Sequence, residues 1–522
     1  MITTITPVGS ESVVGFLSDA SSYPDHPGSV EVVETHISRV FLTDRYAYKL
    51  KKPVRFEFLD FSTPELRHRA CLEELRLNRR LAPDVYLAVL PITQESDGSY
   101  ELDGHGQEVD WVVQMRRLPA ETALDVVLRE NRLAPEEAKA IAKHLTGFYA
   151  RLLPKSLSPD DYRQALDRHI RANGAALLDS LPAERTRLRR IQSIQLRYVN
   201  VQTELIDKRV AAGRIVEGHG DLRPEHIYLD GSPTIIDCIE FSDELRNVDI
   251  ADELSFLAME CERLGDGGLG DLVLAQYEKT CDDKIPASLL TFYRAYRALV
   301  RAKVALIRDQ QQGTALSHAS ADLIRQYIGL ADRHAAKLGP PMLLIVGGLM
   351  GTGKSTLAAK LADTFAVELL STDRIRRSML GASEAPAGYG EGHYQPDMRD
   401  RVYDELLRQA GDLLKDGQSV VLDGTFLTVG LRERAYDLAY RNGAVSLYVL
   451  CTCPRQIAYA RIQQRTDTGT SESEARTELY DLQARDLEPP WADDPAATVD
   501  TTEALSKQLQ AVCAELRRLL FD

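Results

Sequence analysis

A chain of 522 residues exceeds what one hydrophobic core organises, so roughly two to four domains are expected. With 44% hydrophobic and 27% charged residues and a net charge of −15, it reads as a soluble globular protein. The acidic balance argues against broad binding to nucleic acid and suits small polar or cationic substrates.

Seven cysteines show no CxxC spacing, and the close pair Cys451 and Cys453 ends an apolar strand, which points to reduced core thiols rather than a metal site. The start MITTITPVGSESVVGFLSDA has no basic n-region. No stretch reaches the ~20 apolar residues that span a bilayer, so a cytoplasmic protein without a membrane partner is expected.

Residues 1–28 are rich in Ser, Pro and Gly and read as a flexible arm with one short helix. From Val30, VEVVETHISRVFLTDRYAYKLKKPV predicts three short strands, turning near Thr35–Ser38 and Thr43–Arg45. In the third, Ala47, Lys49 and Lys51 share one face, with Tyr48 and Leu50 on the other. The helix after Thr63-Pro64 carries Glu73 and Glu74 in its middle and stops before Pro83. Strands return at VYLAVLPI and VDWVVQMRRLP, and leucine and alanine spacing predicts helices from Pro135 to about Arg214.

Next comes HGDLRPEHIYLDGSPTIID. Asp221 lies in a polar loop, and Asp237 ends an apolar run, so both carboxylates can face one phosphate-sized site. HGDLRPEH followed by IID resembles the catalytic segments of the aminoglycoside phosphotransferase family, which has the protein-kinase fold. The resemblance extends over most of residues 30 to 330. It implies that Lys49, in YAYK, binds the α/β-phosphates and that Glu74, with Glu73 as the alternative, pairs with it. Asp221 would orient the substrate hydroxyl and accept its proton, and Asp237 would bind Mg²⁺. Where the family has a second metal-binding residue, an Asn, this chain has His226, a poorer ligand for hard Mg²⁺. No GxGxxG precedes Lys49; the phosphate-covering turn would be THIS, Thr35 to Ser38. Asp249 and Asp252, in VDIADEL, resemble the family's structural downstream aspartates.

Helices fill Glu253 to about Lys337 and end in LGPP, a linker over residues 336–341. Leu343–Ser355, LLIVGGLMGTGKS, then runs as a buried strand into Gly348–Ser355, which matches GxxxxGK[ST]. Gly348, Gly351, Thr352 and Gly353 would cradle a polyphosphate with backbone N–H groups, and Lys354 would reach its β- and γ-phosphates. Ser355 would hold Mg²⁺, and Thr356, in the same helical turn, is a further nucleotide-binding candidate. Alternating strands and helices through residue 522 predict a doubly wound parallel sheet.

STDRIR resembles the DxxR element of P-loop kinases related to polynucleotide kinase, gluconate kinase and zeta toxins. That likeness implies Asp373 as base on the acceptor hydroxyl and Arg376 as a phosphate or acceptor ligand. Asp423 is placed as the Walker B carboxylate, and Arg461 and Arg465 resemble lid arginines.

The expected protein is thus α/β and α+β multidomain. A protein-kinase-like two-lobe domain spans residues 29–335, and a doubly wound P-loop kinase domain spans 342–522. The domain order resembles that of bifunctional aminoglycoside phosphotransferase/ATP-binding proteins. The expected activity is ATP- and Mg²⁺-dependent phosphoryl transfer in each half to a hydroxyl of a small sugar, aminoglycoside or nucleoside. Alternatives are an N-terminal pseudokinase beside an active P-loop kinase, a nucleotide-dependent switch, and a polynucleotide 5′-hydroxyl kinase.

Overall fold

A computed structural model describes residues 3–4, 10–35, 37–56, 59–311, 316–380, 396–468 and 477–521. It divides into two compact units, Met1–Pro159 with Lys208–Leu330 and Asp160–Asp207 with Ala331–Asp522. No described helix is long and apolar enough to cross a membrane.

In the first unit, β1 (Glu31–Glu34), β2 (Ser38–Leu42), β3 (Tyr46–Lys51), β4 (Tyr86–Gln94), β5 (Tyr100–Leu102) and β6 (Gln107–Arg116) form an antiparallel sheet ordered β1-β2-β3-β6-β4-β5. The alternation in β3 sends Tyr48 and Leu50 to one face and Ala47 to the other, as the sequence predicts. Helix α2 (Pro64–Asn78) contributes Cys71 to the Ala47 face, and Thr63 caps its first turn by accepting from the Leu66 N–H.

Residues 10–28 of the segment expected as a flexible arm instead dock on the sheet. Helix α1 (Ser10–Ser18) and the turn after it bury Val13, Leu17 and Tyr23 against Phe41, Tyr48 and Ile92. Val13 and Leu17 stand one helical turn apart, so a short polar sequence still offers an apolar stripe. The Tyr23 hydroxyl satisfies itself by donating to the Leu17 carbonyl at 2.5 Å. Leu17→Ala is therefore expected to destabilise this unit by ~2–5 kcal/mol. Urea unfolding measures it, and an unchanged midpoint would mean that the helix contributes little.

In the second unit, β9 (Met342–Gly347), β10 (Glu368–Ser371), β11 (Val420–Asp423), β12 (Val445–Thr452) and β13 (Ala496–Asp500) form a parallel sheet ordered β10-β11-β9-β12-β13. Every residue of β9 is buried, as an unbroken apolar run in a central parallel strand requires. Helices Pro159–Ser180 and Arg185–Val201, which the sequence assigns to the first domain, belong almost entirely to this unit. Val201 packs in the same core as Met342 and Leu344. Arg197, buried, donates to the carbonyls of Leu338, Gly339 and Pro340, and burial lowers its pKa to about 10.

Candidate active sites

The first unit gathers its charges where β3, α2 and the segment after β8 meet; β7 (Ile227–Asp230) and β8 (Ser232–Ile235) form a hairpin that ends two residues before Asp237. Lys49 Nζ donates to Glu74 Oε1 at 2.8 Å and to Asp237 Oδ1 at 2.6 Å. The choice between the two glutamates falls on Glu74, fully buried, because Glu73 turns outward to Arg76 and Arg246. Burial would lower the Lys49 pKa, but Asp237 and then Glu74 hold it well above its ordinary value. Partial enclosure would raise Asp237, and Lys49 instead keeps it far below the carboxylate range. Asp237 sits at φ 67, in the left-handed region, where a non-glycine residue is strained.

The loop bearing Asp221 is tied to the segment after β8 by two histidines. His219 Nε2–H donates to the Ile236 carbonyl at 2.8 Å, and its Nδ1 accepts from the Asp221 N–H at 3.3 Å. His226 lies between the two candidate carboxylates, with Nδ1 3.8 Å from Asp221 Oδ2 and Nε2 3.6 Å from Asp237 Oδ2. Burial, opposed first by Arg223 and also by Arg301, leaves Asp221 ionised far below the carboxylate range. Asp249 and Asp252 are buried under Arg209 and Arg297, in structural pairs.

In the second unit the loop after β9 folds as the glycine pattern requires. Gly348 has φ 127, and a Cβ there would stand 2.4 Å from the Cys451 carbonyl; Gly351 has φ 77, with the Ala458 carbonyl 2.7 Å from its Cβ position. The loop braces itself, Thr352 Oγ1 and Lys354 Nζ both donating to the Leu349 carbonyl at 2.7 Å. Helix α3 (Lys354–Phe365) opens at Lys354, with Ser355 and Thr356 exposed in its first turn.

Asp423, buried, ends β11 in register with Val346 of β9 and Ser371 of β10, so three strand ends stand side by side below the loop. Two residues past Ser371, Asp373 lies in the first turn of helix α4 (Thr372–Leu380), where Arg376 donates to its Oδ1 at 2.7 Å. The oxygen donors of Ser355 and Asp423 suit a hard divalent ion such as Mg²⁺, as does the carboxylate of Asp237 in the other unit.

Residues 343–490 match the family model AAA_33, described as an AAA domain. Uncharacterized protein Rv2004c of Mycobacterium tuberculosis (strain ATCC 25618 / H37Rv) is 36% identical across 465 residues, 88% of this chain and 90% of its own. Mb2027c of Mycobacterium bovis (strain ATCC BAA-935 / AF2122/97) matches with the same figures. This chain belongs to their family. The C-terminal unit of this family member carries an AAA-type P-loop domain on a parallel sheet. Solved structures similar to it include a gluconokinase from Sinorhizobium meliloti 1021, at 19% identity and TM-score 0.26 over 35% of this chain and 94% of that one. The Mycobacterium tuberculosis APS kinase CysC in complex with AMPPNP and APS is similar at 17% and 0.26, over 34% and 99%.

Of this family member's two arginines read as lid residues, Arg461, on α5 (Arg455–Thr468), is held beside Gly353 by Thr501. Its guanidinium donates to Thr501 Oγ1 at 3.0 Å and to the Thr501 carbonyl at 2.9 Å. The Arg465 side chain lies outside the described residues. Sequence reading passed over three supports. Tyr403 OH accepts from the N–H groups of Thr425 and Phe426 and shapes the turn after Asp423. Gln483 accepts from the Met350 N–H in the P-loop at 2.9 Å.

The third support is Lys51. Fully buried, it bonds Glu74 Oε2 and Glu240 Oε1, so Glu74 is held by a lysine on each oxygen. Glu74→Ala would leave two buried ammonium groups short of a partner, and an expected loss of ~3–5 kcal/mol follows. A smaller loss in chemical denaturation would show that Asp237 and Glu240 suffice for both.

Proposed function

We propose that the chain is an ATP- and Mg²⁺-dependent phosphotransferase with one nucleotide site in each unit, acting on hydroxyl groups of small molecules. The observation that carries the reading is the P-loop ending at Lys354, with Asp423 at a neighbouring strand end and the Asp373–Arg376 pair two residues past the next.

At the P-loop, backbone N–H groups and Lys354 bind the phosphates, and Ser355 and Asp423 hold the metal. Mg²⁺, when bound, neutralises charge on the β- and γ-phosphate oxygens. Asp373 takes the acceptor's proton as the acceptor's oxygen bonds to the γ-phosphorus. The β–γ bridging P–O bond breaks, and ADP leaves with that electron pair. In the other unit Lys49, positioned by Glu74, binds the α/β-phosphates, Asp237 holds the metal and Asp221 orients the acceptor hydroxyl. The acidic chain favours polar or cationic acceptors.

A second reading, nucleotide binding without turnover in the first unit, draws support from Lys49, which bonds the metal-ligand candidate Asp237 directly. The test is ADP release by the full chain with ATP, Mg²⁺ and a panel of sugars, aminoglycosides, nucleosides and oligonucleotides. Stimulation by a small hydroxyl compound is expected, and loss of that stimulation in Asp373→Asn or Asp221→Asn assigns it to a unit. ATP binding without stimulation by any acceptor would favour a nucleotide-dependent switch.

A further inference from the structure

Arg223 bridges the candidate base Asp221 and the candidate metal ligand His226. Its Nε donates to Asp221 Oδ2 at 3.0 Å, one NH2 nitrogen lies 2.9 Å from His226 Nε2, and NH1 lies 3.5 Å from Glu225 Oε2. These contacts fix the imidazole. His226 Nδ1 faces the Asp221 carbonyl at 2.9 Å, and a carbonyl only accepts, so Nδ1 carries the proton. A guanidinium only donates, so Nε2 presents its lone pair to Arg223. The ring is neutral, and its one metal-binding atom is already engaged.

The spacing around that atom is otherwise that of a metal site. Nε2 lies 3.6 Å from Asp237 Oδ2, near the ~3 Å separating adjacent ligands around an octahedral ion with bonds of ~2.1 Å. Without Arg223, carboxylate and imidazole could share one ion. With it, a divalent ion on Nε2 would have to displace a guanidinium that is charged at every relevant pH and is anchored by Asp221. Most of the Arg223 side chain is covered, with 14% exposed.

We propose that Arg223 is a resident cation that takes the place of a second divalent ion, so that this unit binds a single ion, on Asp237. The assignment rests on the phosphotransferase reading of the unit. It also gives the histidine a use, as an acceptor that holds the guanidinium over the reacting region.

The test counts Mn²⁺ bound by the full chain in the presence of a non-hydrolysable ATP analogue, by electron paramagnetic resonance. Arg223→Ala should bind one more ion per chain than wild type, because Nε2 is released. Arg223→Ala with His226→Ala should return to the wild-type count, and His226→Ala alone should leave it unchanged. One ion lost in His226→Ala, or none gained in a folded Arg223→Ala, overturns the assignment. If Arg223→Ala does not fold, the His226→Ala count decides. Asp237→Ala should lose one ion. An unchanged count there overturns the metal-dependent reading of the unit and the assignment together, whereas losses in both Asp237→Ala and His226→Ala overturn the assignment alone.

Discussion

Asp373→Asn is expected to leave ATP affinity nearly unchanged while lowering phosphoryl transfer at the P-loop site by ~10²–10⁴-fold, the usual contribution of a positioned general base. The substitution is nearly isosteric, and the amide oxygen can still accept from Arg376, which now bonds Oδ1 at 2.7 Å. Helix α4 should therefore keep its first turn. What disappears is the basic oxygen that takes the acceptor's proton. The measurement is turnover with an accepted substrate beside a binding titration with a non-hydrolysable analogue. Equal losses of binding and turnover would make Asp373 a nucleotide ligand, and surviving turnover would move the base elsewhere.

The C-terminal sheet was legible because its physics is local. A parallel strand buried on both faces must be an apolar run, as LLIV and VVL are, and a tight phosphate-sized turn must carry glycine where φ is positive, as at Gly348 and Gly351. Lys49 was legible from strand alternation only as a residue sharing a face with Lys51; the role proposed for it came from the resemblance of YAYK and HGDLRPEH to a known family. The buried bridging role of Lys51 was invisible, since a lysine on a short strand usually stands in water. Its partner Glu240 lies 189 residues away, a separation that no periodicity encodes. The same reasoning explains the helices of residues 159–201. Their spacing announces helices but not which core they join, and Val201 and Arg197 reach the second unit's core and the 338–340 segment. A chain cut before Met342 would remove these supports, so each substitution is best tested in the full protein.

On the proposed two-site reading, Lys354→Ala is expected to remove one of two nucleotide-binding events of the full chain. Lys354 is the only cation in the segment 348–355, and before nucleotide arrives its ammonium is parked on the Leu349 carbonyl. Hydrogen bonds to charged groups contribute ~1.5–3 kcal/mol each, so loss of contacts to two phosphates should weaken binding by ~3–6 kcal/mol, or about 10²–10⁴-fold. The fold should survive, because position 354 is only partly buried and alanine is the best helix former for the first turn of α3. Calorimetric titration of wild type and variant with a non-hydrolysable ATP analogue separates the two sites. If the variant retains both events at wild-type affinity, the phosphates bind somewhere other than this loop. If it loses the P-loop event and keeps the other, Lys49→Ala in the same background should abolish what is left. That outcome places the second nucleotide on the lysine that Glu74 and Asp237 hold.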